Sequence, residues 1–369
     1  MIYITNRLIY NYNRLDGNQL RPSSVIRCYD RWVIGSMKKK ALFIGRPQSI
    51  QMVYNPEIRN ELYQLADIYP EIVSREQLEE HASELQSIEV AFSTWGMPAL
   101  TENEIRRYLP NLKALFYAAG SVQSFARPFL HCGVTVVSAW AANAVPVAEY
   151  AAAQIVLANK GYFQSALLNK QSRQEAARYA RAFPGNYNAK VGIIGAGMIG
   201  RKVIEMLKPY QLEIWVFDPF LPDETAARLN VAKTGLIDVF SQCQTISNHL
   251  ANVPETVGML NKEHFDRMLP YATFINTGRG KQVVETDLIR ALSDVPTRTA
   301  VLDVTYPEPV PPESELLKLD NVILTPHIAG SNQTEVERMA KYAIDEFRRY
   351  VQEEALQYRV SLKMLETMA

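Results

Sequence analysis

Residues 191–207 read VGIIGAGMIGRKVIEML. The run from Val191 to Ile194 has the character of a buried strand, and a helical spacing opens after the glycines. Between them stands Gly195-x-Gly197-x-x-Gly200. Each glycine serves a different physical need. Gly195 permits a tight turn, Gly197 lets backbone approach a pyrophosphate, and Gly200 lets helix and strand pack closely. The helix start turns the free N–H groups of Met198 and Ile199, and the positive end of its dipole, toward the phosphates. Such a motif alone is weak evidence. Here a carboxylate, Asp218, ends the next strand-like run, EIWVFD, 18 residues beyond Gly200. It is placed to accept from the ribose hydroxyls and to repel a 2′-phosphate. Pro219 and Phe220 follow it rather than an arginine, so NAD is expected over NADP. The competing reading is a glycine-tolerant turn beside a surface aspartate.

Outward from this motif the chain alternates. Before it, ALFIG (41–45), IEVAFSTW (88–95), LKALFYAAG (112–120) and VTVVSAW (134–140) read as strands, while 55–69 and 101–109 have helical spacing. Asn55 and Pro56 suit the start of the first of these helices. After the motif, TISNHL, TFINTG, RTAVLDV and NVILTPH read as strands, with helical stretches near 284–292 and over 332–352. Strand-helix alternation with short breaks predicts an α/β fold with parallel sheets covered on both faces. Residues 142–170 are Ala-rich and apolar nearly all round, which predicts one long buried helix.

The chain has 369 residues, room for two domains, with 39 Lys+Arg against 39 Asp+Glu. A balanced charge gives no electrostatic reason to expect nucleic acid or an anionic membrane as partner. The cysteines, Cys28, Cys132 and Cys243, are widely spaced and fit a reducing, cytoplasmic setting. The five histidines show no metal-ligand spacing, so no metal is expected. Residues 1–36 have no Lys, Glu or Ala but five Arg. They lack the apolar core of a signal peptide. They read as a non-native extension ahead of MKKKALFIG, with a genuine arm or a transit peptide as alternatives.

GAGMIG, VFDP, INTGRGKQVVETDLIRAL, VLDVTYPEP and NVILTPHIAG, in that order, resemble the D-isomer-specific 2-hydroxyacid dehydrogenases. The resemblance covers roughly Met37 to Val351 and is loose in the first third. It implies two Rossmann-like or flavodoxin-like parallel-sheet domains, the cofactor domain inserted into the substrate domain. Residues 142–331 would be the NAD-binding domain, and 37–141 with 332–369 the substrate domain. It further implies a catalytic set of Arg279, Glu308 and His327. Arginine's planar fork suits a 2-oxo-acid carboxylate. Hydride addition to a ketone leaves an alkoxide that needs a proton, which an imidazolium can supply and a neighbouring carboxylate helps to keep charged. The resemblance also assigns Asp303 to the nicotinamide carboxamide. It sets His249, Thr277, Gly278, Arg279 and His327 along the cofactor cleft. The amides of Gly120, Ser121 and Val122 become a carboxylate loop, and Trp95 a pocket wall.

Taken singly, each has a plainer explanation: Arg279 a solvated charge, Glu308 a rigid loop carboxylate, His327 a strand-end histidine, Trp95 a core tryptophan. Jointly they point to NAD-dependent interconversion of a 2-oxo acid and a D-2-hydroxy acid. Formate dehydrogenases share the fold but carry Gln in place of the dyad Glu, so Glu308 speaks against that reaction. An NAD(H)-sensing binding protein of the corepressor type is the reading of a different class. A homodimer is expected from the resemblance, with the helix from Ala142 in its interface. No Lys or Arg stands in AAGSVQS (118–124) or STWG (93–96), so neither stretch marks a phosphate-bearing substrate.

Overall fold

The computed structural model describes residues 38–366, so the extension expected at 1–36 lies outside the described residues. From Lys39 onward the chain forms one compact unit holding two sheets. The first contains β1 (Lys39–Ile44), β2 (Ala66–Val73), β3 (Val90–Ser93), β4 (Ala114–Tyr117) and β5 (Thr135–Ser138), in the order β2-β1-β3-β4-β5. The second contains β6 (Tyr187–Ile194), β7 (Gln211–Phe217), β8 (Ala232–Lys233), β9 (Thr245–Asn248), β10 (Thr273–Asn276), β11 (Thr299–Leu302) and β12 (Val322–Leu324). Their order is β12-β11-β10-β9-β6-β7-β8. Every strand pair in both sheets is parallel, as the alternation predicts.

β3, β4, β9, β10 and β11 are buried along their whole length. That is why they read as continuous apolar or small-residue runs and not as alternating ones. The core of the first sheet gathers Phe43, Phe92, Phe116 and Phe129, and closes with Phe347 and Ile344 from the helix Val336–Val351. The end of the described chain thus packs on the sheet built by its beginning. The second sheet has cores on both faces. Ala148, Ala151 and Ile155 of the helix Trp140–Ala158 cover one, and Phe240, Phe265 and Phe274 fill the other.

Two expectations need correction. The helix expected over 55–69 ends at Leu65, and ADIYPEIV becomes β2. Helical spacing persists past Leu65, but pairing with β1 outweighs it. β2 lies at the edge of the sheet, where Pro70 is tolerated. The single helix expected over 142–170 is two, Trp140–Ala158 and Tyr162–Leu168. Gly161 breaks it at φ +64°, and a Cβ there would meet the Phe183 ring at 2.4 Å. By length and composition Trp140–Ala158 could cross a membrane, but ten of its residues are buried in the protein.

Candidate active site

In an open α/β sheet, ligands lie beyond the carboxyl ends of the strands where the strand order reverses. In the second sheet that point falls between β6 and β9. The turn after β6 carries Gly195 at φ +91°, and a Cβ there would stand 2.8 Å from the carbonyl oxygen of His249, in the loop after β9. A Cβ on Gly200 would stand 2.0 Å from the Gly195 carbonyl oxygen. Internal packing therefore explains both glycines. Gly197 differs, because a Cβ there meets nothing within 4 Å. Its openness faces outward, as backbone that a pyrophosphate approaches requires. Gly197 also precedes the ten-residue helix Met198–Leu207, whose first amides lack intrahelical partners. Asp218, after β7, accepts from the Ala196 amide at 2.7 Å and the Phe220 amide at 2.8 Å. It thus ties the glycine turn to the end of the neighbouring strand.

β10, β11 and β12 lie side by side, and Arg279, Glu308 and His327 follow them in that order. His327 Nδ1 is 2.5 Å from Glu308 Oε1. The two side chains are 44% and 39% exposed, so the pair can be reached from solvent. His327 holds φ +55°, a left-handed conformation that a non-glycine residue seldom enters and that clusters at functional sites. What holds it there is Asp303, buried after β11. Its carboxylate accepts from Thr325 Oγ1 at 2.7 Å and from the amides of Ile328 and Ala329 at 2.8 and 2.9 Å. Tyr150 of the helix Trp140–Ala158 reaches Thr325 Oγ1 at 3.0 Å from the other side. Burial lowers the affinity of Arg279 for its proton, and the Glu308 carboxylate opposes that effect. The Arg279 side chain donates to the Gly278 carbonyl at 2.7 Å.

Beneath Arg279 runs a polar cluster that the sequence motifs do not reveal. Gln282 Oε1 accepts from the Arg279 amide at 3.0 Å and from Asn248 Nδ2 at 2.8 Å. Asn248 Nδ2 also donates to Asn276 Oδ1 at 3.0 Å. Gln282 Nε2 donates to the carbonyls of Leu250 and Ala251 at 3.0 and 2.9 Å. Gln282 and Asn248 are wholly buried, so the loops after β9 and β10 are fixed to each other. Beside them, His249 Nε2 contacts Ser247 Oγ at 2.9 Å and Nδ1 contacts Thr277 Oγ1 at 3.3 Å. Burial pushes the His249 imidazole down to about 4, so it is neutral around pH 7. Glu285, held above the usual carboxylate range by burial, accepts from the Tyr306 amide at 2.7 Å and secures the loop that carries Glu308.

Residues 160–329 match the profile described as D-isomer specific 2-hydroxyacid dehydrogenase, NAD binding domain. This segment carries the NAD-binding domain of the D-isomer-specific 2-hydroxyacid dehydrogenases. The matched stretch holds the glycine turn, Asp218, the Arg279 loop and the His327 segment, and its cofactor is NAD. D-3-phosphoglycerate dehydrogenase of Archaeoglobus fulgidus is 29% identical over 71% of this chain and 48% of its own length. The Synechocystis protein of the same name is 30% identical over 58% of this chain and 37% of its own. The chain thus spans less than half of these two relatives. A phosphoglycerate oxidoreductase from Rhizobium etli superposes with a TM-score of 0.73 over 89% of this chain and 100% of that one, at 21% identity, a likeness of fold.

The first sheet contributes less sharply. Its loop after β4 has a half-buried Gly120, an exposed Ser121 and a buried Val122. Ser138 Oγ donates to the carbonyls of Ala119 and Gly120 at 2.9 and 2.7 Å, which fixes the loop against β5. Trp95 is half-buried and packs against the first core. Asn143, at the start of the helix Trp140–Ala158, joins the two sheets' loops. Its Oδ1 accepts from the Ser331 amide at 3.2 Å, and its Nδ2 lies 3.3 Å from where a Gly120 Cβ would be. The Gly120 loop and the end of the His327 segment therefore flank one side chain.

Proposed function

We propose that this chain is an NAD-dependent oxidoreductase that interconverts a 2-oxo acid and a D-2-hydroxy acid. The observation that carries the reading is the His327–Glu308 pair beside Arg279 on three adjacent strand ends, with His327 held in a left-handed conformation. In this reading residues 142–331 form the cofactor domain, and 37–141 with 332–369 the substrate domain. NAD, when bound, supplies the hydride in reduction and accepts it in oxidation. Gly195, Gly197, Met198, Ile199 and Gly200 cradle the pyrophosphate, and Asp218 takes the ribose hydroxyls and selects against a 2′-phosphate.

Arg279 binds the substrate carboxylate and polarises the 2-oxo group, helped by the amides of Gly120, Ser121 and Val122, with Trp95 as a wall. Glu308 holds the Nδ1 proton of His327, which leaves Nε2 to give a proton to the developing alkoxide in reduction and to take it back in oxidation. Three of the acceptor positions of Asp303 are used on the His327 segment. The remaining one suits the nicotinamide carboxamide. His249, Thr277 and Gly278 line the same cleft. Exposed Leu157, Tyr162 and Leu167 on the two helices after Trp140 suit a homodimer interface. The thiols Cys132 and Cys243 are free, which suits the cytoplasm.

The test follows NADH oxidation with glyoxylate, pyruvate, hydroxypyruvate, a branched-chain and an aromatic 2-oxo acid, beside His327→Gln. Turnover of at least one acid is expected, with kcat lowered about 100- to 10,000-fold in the variant and NADH affinity kept. Unchanged kcat in His327→Gln would remove the histidine from the chemistry.

A further inference from the structure

The first sheet has its own reversal of strand order, between β1 and β3. The chain leaving β1 turns toward β2, and the chain leaving β3 turns toward β4, so the two exits meet where open α/β sheets place their ligands. Gly45 and Arg46 form one exit, and Thr94, Trp95 and Gly96 the other. A Cβ on Gly45 would stand 3.3 Å from Ser93 Oγ and 3.5 Å from the Gly96 carbonyl oxygen. Gly96 has φ +87°, and a Cβ there would stand 2.7 Å from Arg46 Cβ and 3.5 Å from Arg46 Nε. Glycine at 96 thus lets the Arg46 side chain lie along the opposite exit.

Arg46 is exposed and is the residue that caps the helix Pro47–Val53, yet its side chain makes no capping bond. Among the described residues it has no ion-pair partner. Arg75, Arg106 and Arg107 of the same layer are paired with Glu104, Glu102 and Glu79. A permanent charge without an ion-pair partner, at a reversal of strand order, has the properties of an anion site. The Gly96 loop is also linked to the proposed reaction centre through hydrogen bonds. Thr94 Oγ1 donates to the Ala118 carbonyl at 2.8 Å, which ties the Gly96 loop to the Gly120 loop. Asn143 carries the connection on to Ser331. The cation missing from AAGSVQS and STWG is supplied by the fold, from the strand two places earlier in the chain.

We infer that Arg46 binds a second anionic group of the substrate, so that the acid turned over is a dianion: a 2-oxo acid with a carboxylate or phosphate at its far end. This rests on the dehydrogenase reading, in which Arg279 takes the 2-oxo-acid end.

The test compares matched pairs of acids in NADH oxidation by the full chain. One pair is 2-oxoglutarate against 2-oxopentanoate, and the other is 3-phosphohydroxypyruvate against hydroxypyruvate. Wild type, Arg46→Gln and Arg46→Lys are assayed with both. In wild type, kcat/KM for one dianion is expected to exceed that of its partner about 10- to 100-fold, the range of a charge-assisted hydrogen bond. The pair that shows the preference tells a carboxylate from a phosphate. Arg46→Gln should bring the ratio close to one, mostly through KM, and Arg46→Lys should restore part of it. A wild-type preference for the monoanion in both pairs would overturn the inference, as would a ratio that Arg46→Gln leaves intact. Turnover of none of the four acids while glyoxylate, pyruvate, a branched-chain or an aromatic 2-oxo acid is reduced would overturn the inference alone. Turnover of no 2-oxo acid at all, with NADH still bound, would overturn the dehydrogenase reading and the inference with it.

Discussion

The two sheets both bring strand-end loops to Asn143 but build those edges in different ways. At the second sheet, each candidate group stands within a few residues of a strand end and is locked by short-range bonds. Asp218 holds the glycine turn, Asp303 holds the His327 segment, and Gln282 holds the Arg279 loop. At the first sheet, the groups are backbone amides after β4 and one arginine laid across a glycine from another strand's exit. The proposed nucleotide side is thus written in local sequence, while the proposed substrate side depends on tertiary placement.

The sharpest way to break this contrast is to add one methyl group on each side. Gly200→Ala drives a Cβ to 2.0 Å from a backbone oxygen that has nowhere to go. It should destabilise the fold by about 1–3 kcal/mol and raise the Kd for NADH at least tenfold, roughly 1.4 kcal/mol. Thermal melts and fluorescence titration measure both.

Gln282→Leu comes next. It leaves the Arg279 amide without an acceptor and the half-buried Leu250 carbonyl without its donor, and reduces Asn248 Nδ2 to its bond with Asn276. Each such loss costs about 1–3 kcal/mol. With the loop under Arg279 loosened, kcat/KM for the acid should fall about tenfold, a scale that small misplacements readily reach, and NADH affinity should change less. Equal loss of both would mean that the cluster supports the whole edge and not Arg279 in particular.

A third test uses pH. The unfolded chain protonates His249 near its ordinary 6.5, whereas the folded chain refuses the proton until about 4. Stability from this group is therefore complete above pH 6.5 and is lost as pH falls through that window. The slope approaches about 1.4 kcal/mol per pH unit. Urea melts between pH 7 and pH 4.5 should show this decline, and His249→Gln should flatten it.

The smallest effect is expected at the first sheet. Gly120→Ala sets its Cβ 3.3 Å from the Asn143 side-chain amide, which can shift by a few tenths of an ångström. KM for the acid should rise modestly while stability changes by less than about 0.5 kcal/mol.

The same contrast decides what the sequence discloses. The glycine turn, Asp218 and the strands β9 to β12 are legible because each rests on residues close in the chain. The end of the helix at Leu65 is not, since local spacing still favours helix at Ala66 to Tyr69 and only pairing with β1 makes them a strand. Gln282 gives no signal, because a glutamine in GRGKQVVE reads as a surface residue until Asn248 is brought 2.8 Å from it. Nor does Asn143, whose partners Gly120 and Ser331 are remote in the chain. Arg46 stands 50 residues before the glycine it lies against.

The most direct measurement is transfer of label from NADH carrying deuterium at C4 of the nicotinamide to a 2-oxo acid, read by mass spectrometry of the product. Deuterium at C2 of a D-2-hydroxy acid, with transfer lost in His327→Gln, is the expected result. NADH that binds but gives deuterium to none of the acids would contradict the proposed chemistry.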